Sequence, residues 1–233
     1  NYKLINLYFN GDKRGIYALE EGFGKELIER NSRRFGPIFG LNEIQSLFYP
    51  DVLYEAFSEN YWIANNEPLL RSAYSTLNNI KLGLNEINSD NFDLNSWARY
   101  FAVIDLIGAH HGGLSKSVRL YFNPVIGNFE PVPFDGHVGT GSEQLSNFII
   151  LDFLNDKANC SYICEDKDWF LKFLKNNDGS LKTEFIEKYV LQLTELTKVD
   201  FINNFLKKYK EEINQFNKVI YSEFSKSDQI FGK

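Results

Sequence analysis

Two short stretches of the sequence hold the side chains best suited to chemistry. The first is a polar, glycine-rich segment with His110 and His111, followed shortly by Ser117, and the second is the pair Asp135-Gly136. Segments of this composition are typical of loops, which often hold catalytic groups. A carboxylate can hold a divalent metal ion, and a histidine can accept a proton from a hydroxyl group. We therefore expect metal-assisted chemistry at Asp135, with His111 close to it.

The neighbouring elements are expected to bring these residues together. Asp93 is a typical helix N-cap, and the apolar spacing after it predicts a helix over 94–108 that leads directly into the histidine loop. Two alternating stretches around a central turn predict a β-hairpin over 118–134. The hairpin would deliver Asp135 beside the loop that contains His111.

The remainder of the chain predicts a mixed α+β fold. The opening residues, 2–19, form a hairpin pattern, and short strand patterns continue to about residue 60. Further helices are predicted over 69–87, 143–154, 167–174, 181–197 and 199–224. We expect a β-rich N-terminal lobe over 1–60, to which strands before Asn1 could also belong, and a mainly helical lobe over 61–233.

Composition restricts the class of protein and its partners. The 233 residues are 43% hydrophobic and 16% aromatic, which excludes a disordered chain. A net charge of -6, with lysine and arginine spread among acidic residues, argues against a nucleic-acid partner. No apolar run approaches the roughly 20 residues that a membrane-spanning helix needs. Cys160 and Cys164 could form a short disulfide loop or remain free thiols, and a structural zinc site is not expected.

An ordered series of sequence blocks resembles the CotH family of atypical protein kinases. The blocks are Gly15–Glu21, Lys25–Glu29, Phe92–Tyr100, Arg119–Pro124 and Glu130–Asp135. The resemblance implies a two-lobed, kinase-like α+β fold with a β-rich N-terminal lobe and a mainly helical C-terminal lobe. It also implies phosphoryl transfer from ATP, with Mg²⁺ or Mn²⁺, to a protein hydroxyl. The spore-coat members of the family phosphorylate serines on secreted or coat proteins.

The resemblance suggests roles for individual residues of this sequence. Asp135 would hold the metal ion that bridges the phosphates, and His111 would lie near the acceptor hydroxyl. Glu21 would pair with a cation that holds phosphate, and Arg34 would contact phosphate directly. Ser117 stands near the place where active family members carry an asparagine, and would be a weak neutral ligand for the metal ion.

Two alternative functions remain open at the level of sequence. Active family members carry an aspartate in the loop where this chain has His110 and His111, so catalysis could have been lost. The protein would then be a pseudokinase-like module that binds or assembles envelope or coat partners. A weaker alternative is a His/Asp metal-binding hydrolase. The spacing permits it, because His137 closely follows Asp135. The resemblance favours a secreted, coat or cell-envelope location with a protein as the substrate or partner.

Overall fold

The computed structural model describes residues 2–42, 44–45, 52–136, 149–154 and 166–224. Over these residues the chain is mixed α+β, as predicted. It divides into two compact units, which are residues 1–23 together with 197–233, and residues 24–196. The predicted lobes follow the order of the chain, whereas these units group the last helix with the opening hairpin.

The elements follow one another in chain order. The strands are β1 (Tyr2–Phe9), β2 (Asp12–Glu20), β3 (Ile38–Leu41), β4 (Tyr54–Ala56), β5 (Arg119–Asn123) and β6 (Asn128–Val132). The helices are α1 (Lys25–Arg30), α2 (Glu59–Lys81), α3 (Leu94–Ile107), α4 (Ile149–Leu154), α5 (Lys167–Leu174), α6 (Thr183–Leu196) and α7 (Val199–Tyr221), and a single 3₁₀ turn covers His110–Gly113. Among the residues described, no helix is both long and apolar enough to cross a membrane.

The first unit contains the opening hairpin and α7. β1 pairs antiparallel with β2, as predicted. The connecting residues Asn10 and Gly11 both have positive φ angles, of 51° and 87°, which a two-residue hairpin turn of this type requires. The backbone N–H of Ile16 donates to a carboxylate oxygen of Glu223 at 2.7 Å. This bond joins β2 to the segment that follows α7.

The second unit contains a four-stranded antiparallel sheet with the strand order β4-β3-β5-β6. The predicted hairpin over 118–134 is confirmed as β5 and β6, with Tyr121 opposite Glu130. β5 lies between β3 and β6 in the sheet, and it is buried along its whole length. The short strand β4 was not predicted, because three residues are too few to show an alternating pattern.

Aromatic side chains from several elements form the core of the second unit. The ring centroid of Trp97, on α3, lies 5.0 Å from that of Phe173 and 5.7 Å from that of Trp169. The indole N–H of Trp97 donates to the carbonyl oxygen of Phe129 at 2.9 Å, so the buried polar atom is satisfied. This packing fixes α3 against β6, and both elements lead into the candidate site.

The two long helices of the second unit differ in how well they were predicted. Asp93 caps α3 as expected, since its side chain accepts from the backbone N–H groups of Asn95 and Ser96. For α2 the predicted range of 69–87 was wrong at its C-terminal end and missed the first segment, whereas the helix start expected at Glu67-Pro68 agrees with the break at Asn66. The helix begins at Glu59 and passes through a non-helical residue, Asn66. It ends at Lys81, ahead of Gly83, whose φ of 75° is incompatible with a continuing helix.

Candidate active site around His111 and Asp135

The segment after α3 is packed into the protein, which corrects the expectation of a flexible polar loop. His110 is 1% exposed, Leu114 is 2% exposed and Ser117 is fully buried. The glycines make this possible, because their backbone can approach places where a side chain would collide. A Cβ atom on Gly112 would lie 3.0 Å from the Cα of Gly136. The 3₁₀ turn and the chain after β6 therefore touch through their backbones.

His111, Ser117 and Asp135 meet at this contact. The Nδ1 atom of His111 lies 3.1 Å from Oδ2 of Asp135 and 3.2 Å from Oγ of Ser117. The same nitrogen lies 3.1 Å from the backbone oxygen of Asp135. Asp135 has a φ of 49°, a left-handed conformation that aspartate tolerates better than most residues. The predicted placement of Asp135 beside the histidine loop is therefore observed.

The chemistry of this group follows from the fact that all three contacts use one ring nitrogen. In a hydrolytic triad the serine and the carboxylate contact opposite nitrogens of the histidine, so Ser117 and Asp135 do not form such a triad with His111. When Nδ1 donates to the carboxylate, Nε2 carries the lone pair and is able to accept a proton. The side chains of His111 and Asp135 are 17% and 37% exposed, which leaves both accessible to solvent.

Asp135 suits a metal ion that is shared with phosphates. Mg²⁺ is usually held by one or two carboxylates, with phosphate oxygens and water completing its shell. Within the described ranges, no group of three or more His, Cys, Asp or Glu side chains is arranged to hold a metal ion. A single carboxylate such as Asp135 is compatible with an ion of this kind, whereas the His/Asp hydrolase alternative needs further ligands. His137, which that alternative invoked, lies outside the described residues.

Arg119 is a site residue that the sequence analysis missed. It is 6% exposed, and its guanidinium lies 4.4 Å from the ring centroid of Phe134. It also donates to the backbone oxygen of Lys116 at 2.6 Å. Phe134 immediately precedes Asp135, and Lys116 immediately precedes Ser117. Arg119 therefore contacts both sides of the site. A charged residue at the start of an otherwise apolar strand was the available signal.

His110 faces the core instead of the site. Its Nε2 atom lies 3.5 Å from Oδ1 of Asp105 on α3. The hydroxyl of Tyr189 on α6 donates to the other oxygen of Asp105. Burial, together with the neighbouring Asp105 carboxylate, raises the pKa of the Tyr189 phenol well above its ordinary value. His110 therefore belongs to a buried polar cluster between α3 and α6.

A further carboxylate anchors the segment between the histidines and Ser117. Asp166, immediately before α5, accepts hydrogen bonds from the backbone N–H and the hydroxyl of Ser115. Burial raises the pKa of the Asp166 carboxyl above its ordinary value of 3.8, although the hydrogen bonds from Ser115 act in the opposite direction. The site loop is consequently held by contacts to α5 as well as to β6.

Arg34 and Glu21 are found in other parts of the fold. The backbone oxygen of Arg34 accepts from the Tyr121 hydroxyl, and the Arg34 side chain is exposed beside Pro124. Pro124 follows β5, whereas Ser117 precedes that strand, so Arg34 is not part of the His111 cluster. Glu21 directly follows β2 in the first unit. Cys160 and Cys164 lie outside the described residues.

No protein-family model matches the sequence, and no curated protein matches it. A functional assignment therefore depends on the geometry of the site and on the ordered blocks of sequence.

Proposed function

We propose that this chain is a kinase-like phosphotransferase that uses ATP and Mg²⁺ or Mn²⁺ to phosphorylate a hydroxyl group on a protein. The observation that carries the proposal is the meeting of His111 and Asp135. They reach this contact through a helix, a turn and a hairpin that occur in the same order as the blocks resembling CotH kinases. The two-lobed kinase-like arrangement and a coat, secreted or envelope location belong to the same proposal.

Each residue of the cluster has a role that its contacts support. Asp135 would hold the metal ion, and His111 would accept the proton of the acceptor hydroxyl at Nε2 while Nδ1 is held by Asp135. Bound ATP and the metal ion would supply the phosphoryl group and neutralise its charge. Ser117, which is fully buried, contacts Nδ1 of His111 and holds the ring in place. Glu21 remains the proposed partner of a phosphate-holding cation.

The position of His111 between two firmly held segments also supports this assignment. Phosphoryl transfer depends more on positioning and charge stabilisation than on covalent chemistry by the protein. The contacts of Gly112 with the 134–136 segment and of Ser115 with Asp166 restrict both sides of the cluster. Residues held this firmly can keep an acceptor group and a metal ion at a constant separation.

One observation favours a second candidate, a pseudokinase-like binding protein. The carboxylate on α3 nearest to the histidine loop in sequence is Asp105, and it is 5% exposed and bonded to Tyr189. It cannot replace the loop aspartate that active CotH kinases carry. In this alternative the His111–Asp135 contact only fastens the hairpin to the loop, and the protein binds a coat or envelope partner without catalysis.

Nucleotide binding distinguishes the two candidates. If the proposed phosphotransferase is correct, ATP with Mg²⁺ or Mn²⁺ raises the melting temperature of the wild-type protein, because a ligand that binds the folded state stabilises it. Asp135→Asn should abolish the shift and keep the left-handed backbone. Asp90→Asn, at an exposed position, is the matched control and should retain it. If ATP and metal do not change the melting temperature of the wild-type protein, the result favours the pseudokinase-like binding protein.

A further inference from the structure

A cavity at the other end of β5 forms a second candidate site. It has a volume of about 430 Å³ and includes Arg34, Tyr61 and Trp62 in its lining. This volume falls in the range of roughly 300 to 1,000 Å³ that is usual for ligand pockets. β5 runs from Arg119 beside the His111 cluster to Asn123 beside the cavity, which is about 13 Å of strand. The cavity is therefore separate from the proposed phosphoryl-transfer site.

One wall of the cavity consists of packed aromatic rings. The ring centroid of Phe35 lies 4.8 Å from that of Trp62 and 5.6 Å from that of Tyr61. Trp62 is 5% exposed and forms the floor, whereas Tyr61 is 46% exposed. Such a surface offers an apolar side chain a partly enclosed, aromatic environment.

The cavity also has a cation in its lining, the guanidinium of Arg34. Over the described part of the chain, the Arg34 guanidinium makes no ion pair or hydrogen bond. Its neighbour Arg33 differs, because it donates to Glu130 at 2.7 Å. Glu67, on the adjacent helix, is bonded to Arg71. An acidic group entering the cavity would thus find Arg34 available for pairing.

Two amide side chains complete the lining. Asn65 uses its Nδ2 group to donate to the backbone oxygen of Tyr61. Asn66 uses its Oδ1 atom to accept from the backbone N–H of Leu69. Across the described chain, the Oδ1 atom of Asn65 and the Nδ2 group of Asn66 therefore remain as one acceptor and one donor. This combination complements the N–H and C=O groups of a peptide backbone.

We propose that this cavity binds an extended peptide segment in which a bulky apolar residue and an aspartate or glutamate lie two positions apart, so that both side chains point to the same side. The apolar side chain packs on Tyr61 and Phe35, and the carboxylate pairs with Arg34. The peptide backbone bonds to Asn65 and Asn66. This inference goes beyond the proposed phosphoryl transfer and does not depend on it, because no residue of the His111 cluster takes part.

A fluorescence titration of the full chain tests this proposal. The probe is a capped pentapeptide with Phe-Ser-Asp at its centre and serine at both ends, and the signal is the tryptophan emission of the protein, to which Trp62 contributes together with Trp97 and Trp169. We expect a saturable change in emission that is absent from Trp62→Phe. Calorimetry should show that this variant still binds the peptide. Arg34→Gln should weaken binding at least tenfold, and Arg99→Gln, an exposed arginine on α3, should not. Replacing aspartate by asparagine in the peptide should have the same effect as Arg34→Gln.

Several results would overturn the peptide assignment. One is the absence of saturable binding to the wild-type protein, and another is equal affinity for the aspartate and asparagine peptides. Undiminished binding by Arg34→Gln would show that the peptide is held elsewhere. If glucuronate displaced the peptide when both are present at the same concentration, the cavity would be a sugar-acid site instead. Because Arg34 and Arg99 are both exposed, their substitution should leave the fold intact, and circular dichroism of both variants checks this.

Discussion

The Nδ1 atom of His111 lies 3.1 Å from Oδ2 of Asp135, and this contact joins the 3₁₀ turn after α3 to the chain that leaves β6. It places a proton acceptor next to a potential metal ligand. It also means that any change at one residue alters the surroundings of the other. Substitutions at this site therefore have to separate chemistry from structure.

Replacing His111 by asparagine should make that separation. The Nδ2 group of asparagine occupies nearly the position of Nδ1 and can still donate to Asp135, but asparagine has no counterpart of the basic Nε2 atom. We expect the free energy of unfolding to stay within about 1 kcal/mol of wild type. The rate of phosphoryl transfer should fall by about 10²-fold or more. Denaturant unfolding and a steady-state kinase assay measure the two quantities, and an unchanged rate would remove His111 from the mechanism.

Gly112→Ala should damage the site by sterically separating its two sides. The added Cβ would lie 3.0 Å from the Cα of Gly136 and 3.2 Å from the carbonyl oxygen of Phe134. We expect a loss of about 1–3 kcal/mol in the free energy of unfolding, from overpacking. The matched control is Gly136→Ala, because its Cβ would come no closer than 3.9 Å to Ala109. Equal stability of the two variants in urea would contradict the close contact.

The stability contribution of Asp166 should depend on pH. Burial raises the pKa of Asp166 in the folded protein above 3.8. Between 3.8 and the raised pKa the folded state keeps a proton that the unfolded state has lost, so stability falls as the pH rises through this window. We therefore expect the difference in free energy of unfolding, wild type minus Asp166→Asn, to decrease as the pH rises above 3.8. Thermal unfolding at several pH values measures this difference.

Asp178 provides the contrasting case for that experiment. Hydrogen bonds from Ser180 lower the pKa of Asp178 below 3.8. Its stabilisation is present above pH 3.8 and is lost as the pH falls below that value. The difference in free energy of unfolding, wild type minus Asp178→Asn, should therefore increase as the pH rises, and this change should be confined to acid pH. A flat profile for Asp166→Asn would mean that Asp166 is not desolvated in the folded protein.

Phe173→Ala should show how much the aromatic core stabilises the second unit. The Phe173 ring is fully buried and lies 5.0 Å from the rings of Trp97 and Phe101, centroid to centroid. Removing it leaves a cavity, and we expect a loss of about 3–5 kcal/mol in the free energy of unfolding. Val125→Ala, at a position that is 67% exposed, should cost less than about 0.5 kcal/mol. Similar losses for the two variants in chemical denaturation would argue against this core.

The parts of the structure that were predictable from sequence are those with local signals. The Asp93 cap, the apolar stripe of α3 and the alternation around 123–128 each depend on a few neighbouring residues, and together they led to the meeting of His111 and Asp135. The break at Asn66 also has a local signal, because Glu67-Pro68 directly after it is a typical helix start. The helical segment before it, which begins at Glu59, was not predicted.

The remaining features depend on contacts between distant residues. The burial of His110 depends on its position beside Asp105 of α3 and Tyr189 of α6, and Ser117 is buried against His111; composition alone does not indicate either. The grouping of α7 with the opening hairpin joins the two ends of the chain. The cation–π contact of Arg119 with Phe134 likewise depends on the fold of the hairpin. Periodicity describes which face of an element is buried but not which partner covers it.

The most direct test of the proposed function is transfer of the γ-phosphoryl group of radiolabelled ATP to protein, with Mg²⁺ or Mn²⁺. The assay compares the wild-type chain with Asp135→Asn and Asp90→Asn, using the chain itself and a serine-rich protein as acceptors. We expect metal-dependent labelling by wild type and Asp90→Asn and a loss of at least 10²-fold for Asp135→Asn. Labelling that is absent from wild type, or unchanged in Asp135→Asn, would contradict a phosphotransferase centred on Asp135.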